Sequence, residues 1–401
     1  MAVNDLTFNQ LATILNSITA QATGTANLTA TDTSSFVTVG QTALKAGYDV
    51  LSTAISQVLS RTIFSVRPYT AKFKGMEVTE QQYGNFIRKL SVVDQPFLND
   101  LSIDPTTIAN NSTLDPFAIQ GKPKVVQENY YGQNVYMKQL PLYDYQLDQA
   151  FSGPEQFASF VSMMMTNVSD MLEQARENTK RETLVNLIGA IIGNYTAQNY
   201  RLVTMYNAYL GLTGQNVVTW AGIKGNSTHY QRFMRFAYAK IAAVSAMMTE
   251  RSANFHQSIG TDYIMRHSPM EDQRLYMIGQ ERYDMEAQVL ADAYHDNYLR
   301  YSDVETVNFW QSINAPESIN VTPSYLVVSG ANAGTIAKGS AVNNTAVFAV
   351  LMDRDACGVT IANQRASTAY NARGFYTNYF FAETARYWNS FTENAAVFTL
   401  D

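Results

Sequence analysis

A chain of 401 residues, 46% of them hydrophobic, has room for two or three compact units and a sizeable core, which excludes wholesale disorder. Charge is the unusual quantity. Asp, Glu, Lys and Arg make up 15%, against roughly a quarter in ordinary soluble proteins, and 25 Tyr and 20 Phe fill part of the gap, so much of the surface is expected to meet other protein. With 28 basic against 34 acidic side chains, the balance argues against a dedicated nucleic-acid reader and allows only weak contact with nucleic acid.

A single cysteine, Cys357, rules out an internal disulfide and a thiolate zinc cluster. The start, Met1-Ala-Val-Asn-Asp-Leu, lacks the basic and apolar regions of a secretory signal, and the most apolar run, Leu184 to Ile192, is about half of what a bilayer needs. No membrane association is predicted.

In chain order, Leu6 to Ile18 carries apolar residues at helical spacing, and Ala20 to Ser35 reads as a polar, flexible or extended segment. A second helical face runs from Leu44 to about Thr62. Tyr69, Ala71 and Phe73 alternate with Thr70, Lys72 and Lys74, predicting a strand that ends at Gly75. Lys124–Gly132 and Asn134–Leu140 also read as strands, and the proline-rich, Asn- and Ser-rich stretch before them suggests the tip of a long projecting hairpin. Ser152-Gly-Pro-Glu155 is a capping box. The period that follows, from Phe157 through Leu172 and Leu187 to Ile191, predicts one helix of about 60 Å, stopped at Gly193-Asn194. A helix is expected at Tyr230–Arg251. Tyr263–Met265 reads as a strand, Met270–Ile278 and Met285–His295 as helices. Strands follow at Glu305–Trp310, Tyr325–Val328, Val347–Met352, Val359–Ile361, Gly374–Trp388 and Ala395–Leu400. The class is α+β.

Motifs for chemistry are missing. His229, His256, His267 and His295 sit 11 or more residues apart, with no HExxH or HxxxH pair to present two imidazoles to one metal. Asp353-Arg-Asp-Ala-Cys-Gly358 imitates half a calcium loop, but Gln364 stands where a bidentate Glu belongs, so a turn after the apolar strand is expected. Phosphate cradles and a GxSxG elbow are absent from the sequence. Cys357 is expected to be a buried structural thiol. Phe375, Tyr376, Tyr379, Phe380, Phe381, Tyr387, Trp388 and Phe391 are accompanied only by Arg373 and Arg386, which suits sheet core and subunit contact better than base stacking. No cofactor, metal or catalytic residue is predicted.

A polar arm, a projecting hairpin, a very long capped helix, a mixed α/β region and a returning aromatic strand follow one another. That order resembles the HK97 fold of tailed-bacteriophage major capsid proteins. Locally, Ala349-Val-Leu-Met-Asp-Arg-Asp, Asn371-Ala-Arg-Gly-Phe-Tyr-Thr-Asn-Tyr-Phe-Phe, Phe391-Thr-Glu-Asn-Ala-Ala-Val-Phe and Phe157-Ala-Ser-Phe-Val-Ser look like the capsid proteins of small short-tailed phages (podoviruses) of Gram-positive bacteria. The resemblance implies an N-terminal arm at 1–65, an extended loop at 66–142, and a peripheral domain at 143–227 with a spine helix at 152–193. It also implies an axial domain at 228–345, with 346–401 completing the peripheral sheet. The implied function is a structural, non-enzymatic subunit that self-assembles through pentamers and hexamers into an icosahedral head enclosing double-stranded DNA. Implied partners are further copies of the chain, a scaffolding protein, portal and minor head proteins, and weak, non-specific contact with packaged DNA, in a virion assembled in the host cytoplasm.

Low charge and high Tyr and Asn suit large contacts between subunits, which a closed shell multiplies into avidity. Lys72, Lys74, Arg88, Lys89, Arg176, Lys180, Arg373 and Arg386 are the candidate intersubunit contacts. A lysine–asparagine crosslink is not predicted. Two alternatives stay open: another virion component such as a tail sheath or collar, and a cytosolic hydrolase whose site has no recognisable motif.

Overall fold

The computed structural model describes residues 8–23, 30–31, 33–45, 72–78, 86–94, 124–144, 146, 154–260, 264–290, 304–344 and 346–400. The chain divides into two compact units. One comprises Met1–Gly84, Gly132–Lys180 and Val359–Tyr387, the other Asn85–Tyr131, Arg181–Gly358 and Trp388–Asp401.

In the first unit, α1 (Phe8–Thr23) and α2 (Thr33–Lys45) pack together through buried Leu15, Ile18, Phe36 and Val39. The sequence pattern ended the first helix at Ile18 and read Ala20–Ser35 as flexible or extended, whereas Ala20–Thr23 continue α1 and Thr33–Ser35 open α2. Burying the apolar face of α2 outweighs the weak helix propensity of Thr and Ser. Lys74–Met76 forms a 3-10 turn, and Phe73 takes a left-handed backbone (φ 61°) with its ring fully buried. Of the strand expected at Tyr69–Gly75, residues 72–75 belong to a turn, and 69–71 lie outside the described residues. One ring dropping into the core replaces the alternation that a strand needs. The second helical face, Leu44 to Thr62, lies mostly outside the described residues, as do the hairpin tip and the capping box.

The first unit also holds a sheet in the order β12-β13-β3, from β3 (Gln133–Tyr143), β12 (Cys357–Asn371) and β13 (Tyr376–Asn389). β13 pairs antiparallel with β3 from Tyr376↔Tyr143 to Arg386↔Gln133. Alternation gives it two faces. Thr377, Tyr379, Phe381, Glu383 and Ala385 are buried, and Tyr376, Asn378, Phe380, Ala382 and Thr384 are half-buried.

Helix α3 (Pro154–Asn194) runs 41 residues as one element, so the period legible in the sequence is realised over its whole length. Its first part belongs to the first unit and its last turns to the second. In those last turns Leu184, Ile188 and Ile191 are buried, and a Cβ on Gly189 would come within 2.5 Å of Val321, so glycine is what lets the neighbouring strand approach.

The second unit centres on a sheet ordered β4-β14-β11-β5-β6. Its strands are β4 (Asn199–Arg201), β5 (Gln273–Ile278), β6 (Val304–Val307), β11 (Val347–Asp353) and β14 (Ala395–Thr399), and the unit also holds two short antiparallel pairs, β7 (Ile319–Val321) with β10 (Val342–Asn344) and β8 (Ser324–Leu326) with β9 (Ile336–Lys338). β11 is antiparallel to β14 and β5, β14 is parallel to β4, and β5 to β6. Every residue of β11 and β14 is buried, because the sheet is covered on both faces. Against it pack α4 (Leu202–Tyr209), α5 (Trp220–Lys224), α6 (Ser227–Met248) and α7 (Gly279–Leu290), through a core that includes Tyr206, Phe233, Ile241, Met277, Phe348 and Phe398. The helix expected at Met270–Ile278 is a 3-10 turn followed by β5. Its buried apolar run, Leu275–Ile278, is too short for a period that separates strand from helix. Asn226 caps α6, its Oδ1 accepting the N–H groups of Thr228 and His229.

Candidate functional site

The features of the second unit that bear on function begin with a two-stranded ribbon, β1 (Ile87–Val92) and β2 (Val125–Tyr130), paired antiparallel from Ile87↔Tyr130 to Val92↔Val125. A free ribbon of this kind has marginal stability in water. Here one face is tied down. Lys89 Nζ lies 2.6 Å from Glu393 and 3.7 Å from Glu128, and donates to Ser390 Oγ at 2.6 Å and Thr392 Oγ1 at 3.0 Å. Arg266 donates to Ser91 Oγ at 2.6 Å, and Asp94 takes the N–H of Met265 at 2.6 Å and pairs with Arg251. The other face carries Leu90, Val92 and Val125, which are 62%, 64% and 55% exposed. An apolar strand surface left open like this marks a contact site or an aggregation hazard.

In the first unit, the half-buried face of β13 continues onto β3, where Val135, Met137 and Tyr143 are exposed opposite Thr384, Ala382 and Tyr376. Beneath it is a buried polar cluster. Arg176 of α3 makes a two-pronged contact with Glu383, Nε to Oε1 and Nη2 to Oε2 each at 2.7 Å, and its Nη1 reaches Glu173 at 2.6 Å. Glu383 also accepts from the Tyr136 hydroxyl at 2.7 Å and the Gln364 amide at 3.0 Å. Burial and the carboxylate of Glu383 push the Tyr136 phenol well above its ordinary value. Burial alone would lower the Arg176 guanidinium, but the bonds and charge of Glu383 and Glu173 outweigh it and hold the group protonated.

The charged residues singled out by sequence therefore divide. Lys89, Arg176 and Lys180 are spent within the chain, with Lys180 2.8 Å from Glu77. Lys72, Lys74, Arg88 and Arg373 have exposed side chains, and the Arg88 guanidinium sits 5.4 Å from the Phe86 ring centroid. Arg386 is buried to 9% exposure, and its Nε and Nη1 have no hydrogen-bond partner among the described residues. The exposed apolar faces were missed, although the alternation of Leu90 and Val92 with Lys89 and Ser91 was present to be read.

A polar cleft of about 700 Å³ in the second unit is lined in part by Asp94, Arg251, Arg266, Asp272, Arg354 and Glu393. Its arginines are paired: Arg251 with Asp94, Arg266 with Glu393 and Arg354 with Asp272. Asp353, at the start of the calcium-like segment, is the end of β11. Its Oδ1 accepts the Asp355 N–H at 2.9 Å and its Oδ2 the Ser268 hydroxyl, which makes the segment a turn. Among the described residues no three His, Cys, Asp or Glu side chains are grouped to hold a metal ion, and no helix is long and apolar enough to cross a membrane. Cys357 is fully buried, and burial pushes its thiol well up.

Comparison with known proteins agrees with this architecture. The family model described as Phi29-like phage major capsid protein matches residues 11–399. No curated protein matches the sequence. Among solved structures, the chain is similar to one in the capsid structure of Staphylococcus phage Andhra. The TM-score is 0.54 and the identity 10%, over 84% of this chain and 86% of that one. A chain in the structure of the head fiber and inner core protein gp22 of native bacteriophage P68 is similar with a TM-score of 0.53 and 10% identity, over 84% and 86%. At such identities the likeness is one of fold.

Proposed function

Because the chain belongs to the Phi29-like phage major capsid protein family, and is thus a structural subunit of a phage head with an HK97-like fold, we propose how it builds that shell. The subunits associate as pentamers and hexamers around double-stranded DNA, aided by scaffolding, portal and minor head proteins, in the cytoplasm of a Gram-positive host infected by a short-tailed phage. Residues 1–65 serve as the arm and 66–142 as the extended loop. Residues 143–227 and 346–401 form the peripheral domain, and 228–345 the axial domain.

The observation that carries the reading is the family match over residues 11–399. The exposed apolar side chains support its detail. The open face of the β1–β2 ribbon, with Leu90, Val92 and Val125, is proposed to lie on a neighbouring copy, and so is the face of β3 with Val135 and Met137. Lys72, Lys74, Arg88 and Arg373 supply polar contacts at the rim. Each contact is modest, and closure of the shell multiplies them.

Negative-stain electron microscopy of the purified chain, with light scattering beside it, tests the proposal. Closed shells or five- and six-membered rings are expected. Leu90→Asp combined with Val92→Asp is expected to leave the far-ultraviolet spectrum unchanged and to abolish shells. A wild-type chain that stays a monodisperse monomer or dimer at high concentration overturns the assembly reading.

A further inference from the structure

Among the described residues four cationic side chains are buried: Arg176, Lys180, Arg181 and Arg386. Three of them have what a buried charge needs. Arg176 meets Glu383 and Glu173, and Lys180 meets Glu77. Arg181 donates to the carbonyls of Phe309 and Trp310 and lies over the Phe309 ring. Arg386 is the exception. It is 9% exposed, and its Nε and Nη1 are enclosed without a hydrogen-bond partner among the described residues. A buried charge without its counterpart is strongly destabilising, and each N–H left unsatisfied adds to the cost.

Arg386 stands opposite Gln133 at the end of the β13–β3 ladder, in the same alternation as Ala382 and Thr384. Residues two apart on a strand share a face and lie about 7 Å from one another along it. On that face Gln133, Val135 and Met137 of β3 are exposed, the last two to 58% and 64%. The opposite face, with Tyr136 and Glu383, is taken up by Arg176 of α3. Nη2 of Arg386 also lacks a hydrogen bond among the described residues but is not enclosed, so the guanidinium keeps one end at the surface. A long side chain of this kind can turn about its flexible stem and bring a planar fork of two N–H groups outward to a ligand.

We propose that Arg386 is a carboxylate site completed between copies of this chain. An Asp or Glu side chain of a second copy enters at the open end, takes the guanidinium in a two-pronged contact, and supplies the charge that the folded chain withholds. The inference deepens the capsid reading and rests on it, because assembly is what brings a second copy to this face. Val135 and Met137 continue from Arg386 along a face already assigned to a neighbouring copy, so apolar side chains that cover them carry a carboxylate in beside them. Copies of the chain also meet with acid to spare, 34 acidic against 28 basic side chains. A phosphate backbone fits less well, since laying it over Val135 and Met137 gains little apolar burial. The fork matches a carboxylate in two parallel bonds, as Arg176 shows with Glu383. The cost of the unpaired charge falls on the unassembled chain and is recovered in the shell, which favours association.

Arg386→Met keeps an unbranched apolar stem and removes the charge. In urea unfolding of the unassembled chain its midpoint should equal or exceed that of the wild type. The concentration needed for shells, read by light scattering, should rise at least about tenfold. A lower midpoint with an unchanged assembly threshold overturns the proposal and leaves Arg386 a residue of its own sheet. Arg386→Lys keeps a charge, and its threshold should fall between those of the wild type and Arg386→Met. Carbodiimide treatment of its shells should join the new amine to an Asp or Glu by an amide bond, with loss of water. In shells grown from equal parts of unlabelled and isotope-labelled chain, mass spectrometry should find that link between differently labelled chains. A link confined to one chain overturns the assignment to a second copy. Wild-type shells that form only with added phosphate, with no link between chains in the Arg386→Lys shells, assign the site to a free anion instead. Equal thresholds for the wild type and Arg386→Met strike only this inference, whereas a wild type that forms no shells strikes the assembly reading and this inference with it.

Discussion

Replacing Glu383 by Gln should cost the first unit a large part of its stability while leaving the shape of the site nearly unchanged. The side chains of Arg176 and Glu383 are only 7% and 1% exposed, and two parallel bonds of 2.7 Å join them. For unit charges about 4 Å apart at an effective dielectric near 20 the attraction is about 4 kcal/mol, and removing one member of a buried pair typically costs about 3–5 kcal/mol. Glu173 remains 2.6 Å from Arg176 and retains part of the compensation, which places the expected loss near the lower end, about 3 kcal/mol. At about 2–4 °C per kcal/mol for a unit of this size, the melting temperature should fall by about 6–12 °C. Urea unfolding of the unassembled chain, followed by circular dichroism, is the assay. The triple variant Glu173→Gln, Arg176→Met and Glu383→Met should recover most of the loss, because none of the three buried charges is then left without its partner. A Glu383→Gln chain within about 0.5 kcal/mol of the wild type would refute the claim that this pair is desolvated and mutually dependent.

Glu281 at the start of α7 is buried, and desolvation together with the facing Glu317 pushes its carboxyl up from 4.5 to about 7. Between those values the folded chain holds a proton that the unfolded chain has released, so stability should decline as pH rises through that window. Glu281→Gln should flatten the decline, read as urea midpoints measured at about pH 5 and about pH 8. The Tyr195 hydroxyl donates to the Leu326 carbonyl at 2.7 Å and accepts its N–H at 2.8 Å, so Tyr195→Phe strands a buried backbone pair and should cost about 1–3 kcal/mol in the same unfolding assay. A Cβ on Gly358 would come within 2.2 Å of the Trp388 ring, so Gly358→Ala should destabilise the second unit by about 1–3 kcal/mol, and an unchanged urea midpoint would show that the ring can move aside.

Periodicity and alternation are local properties, and the elements that depend on them were legible. The apolar period at three- and four-residue spacing gave away Pro154–Asn194, and alternation marked β3 and β13 before any contact was known. Low charge with abundant aromatic residues pointed to a protein-covered surface, and the order of parts pointed to the capsid family. What the tertiary structure alone decided was which partner each group meets. Gln273–Ile278 is a strand because β11 lies beside it, not because of its own pattern. Phe73 bends its segment into a turn because its ring has a core to enter.

Arg176, Lys180 and Lys89 look in sequence like surface charges available to a neighbour. Glu383, Glu77 and Glu393 meet them from 207, 103 and 304 positions away, a pairing that no local pattern can announce. The acid-free stretch from 183 to 249 is plain in the sequence, but only folding turns Lys224 toward Glu317. A sequence fixes how much charge and apolar surface a chain carries. Which of it stays in water is set by contacts between distant segments, and those contacts carry the energies on which the proposed sites rest.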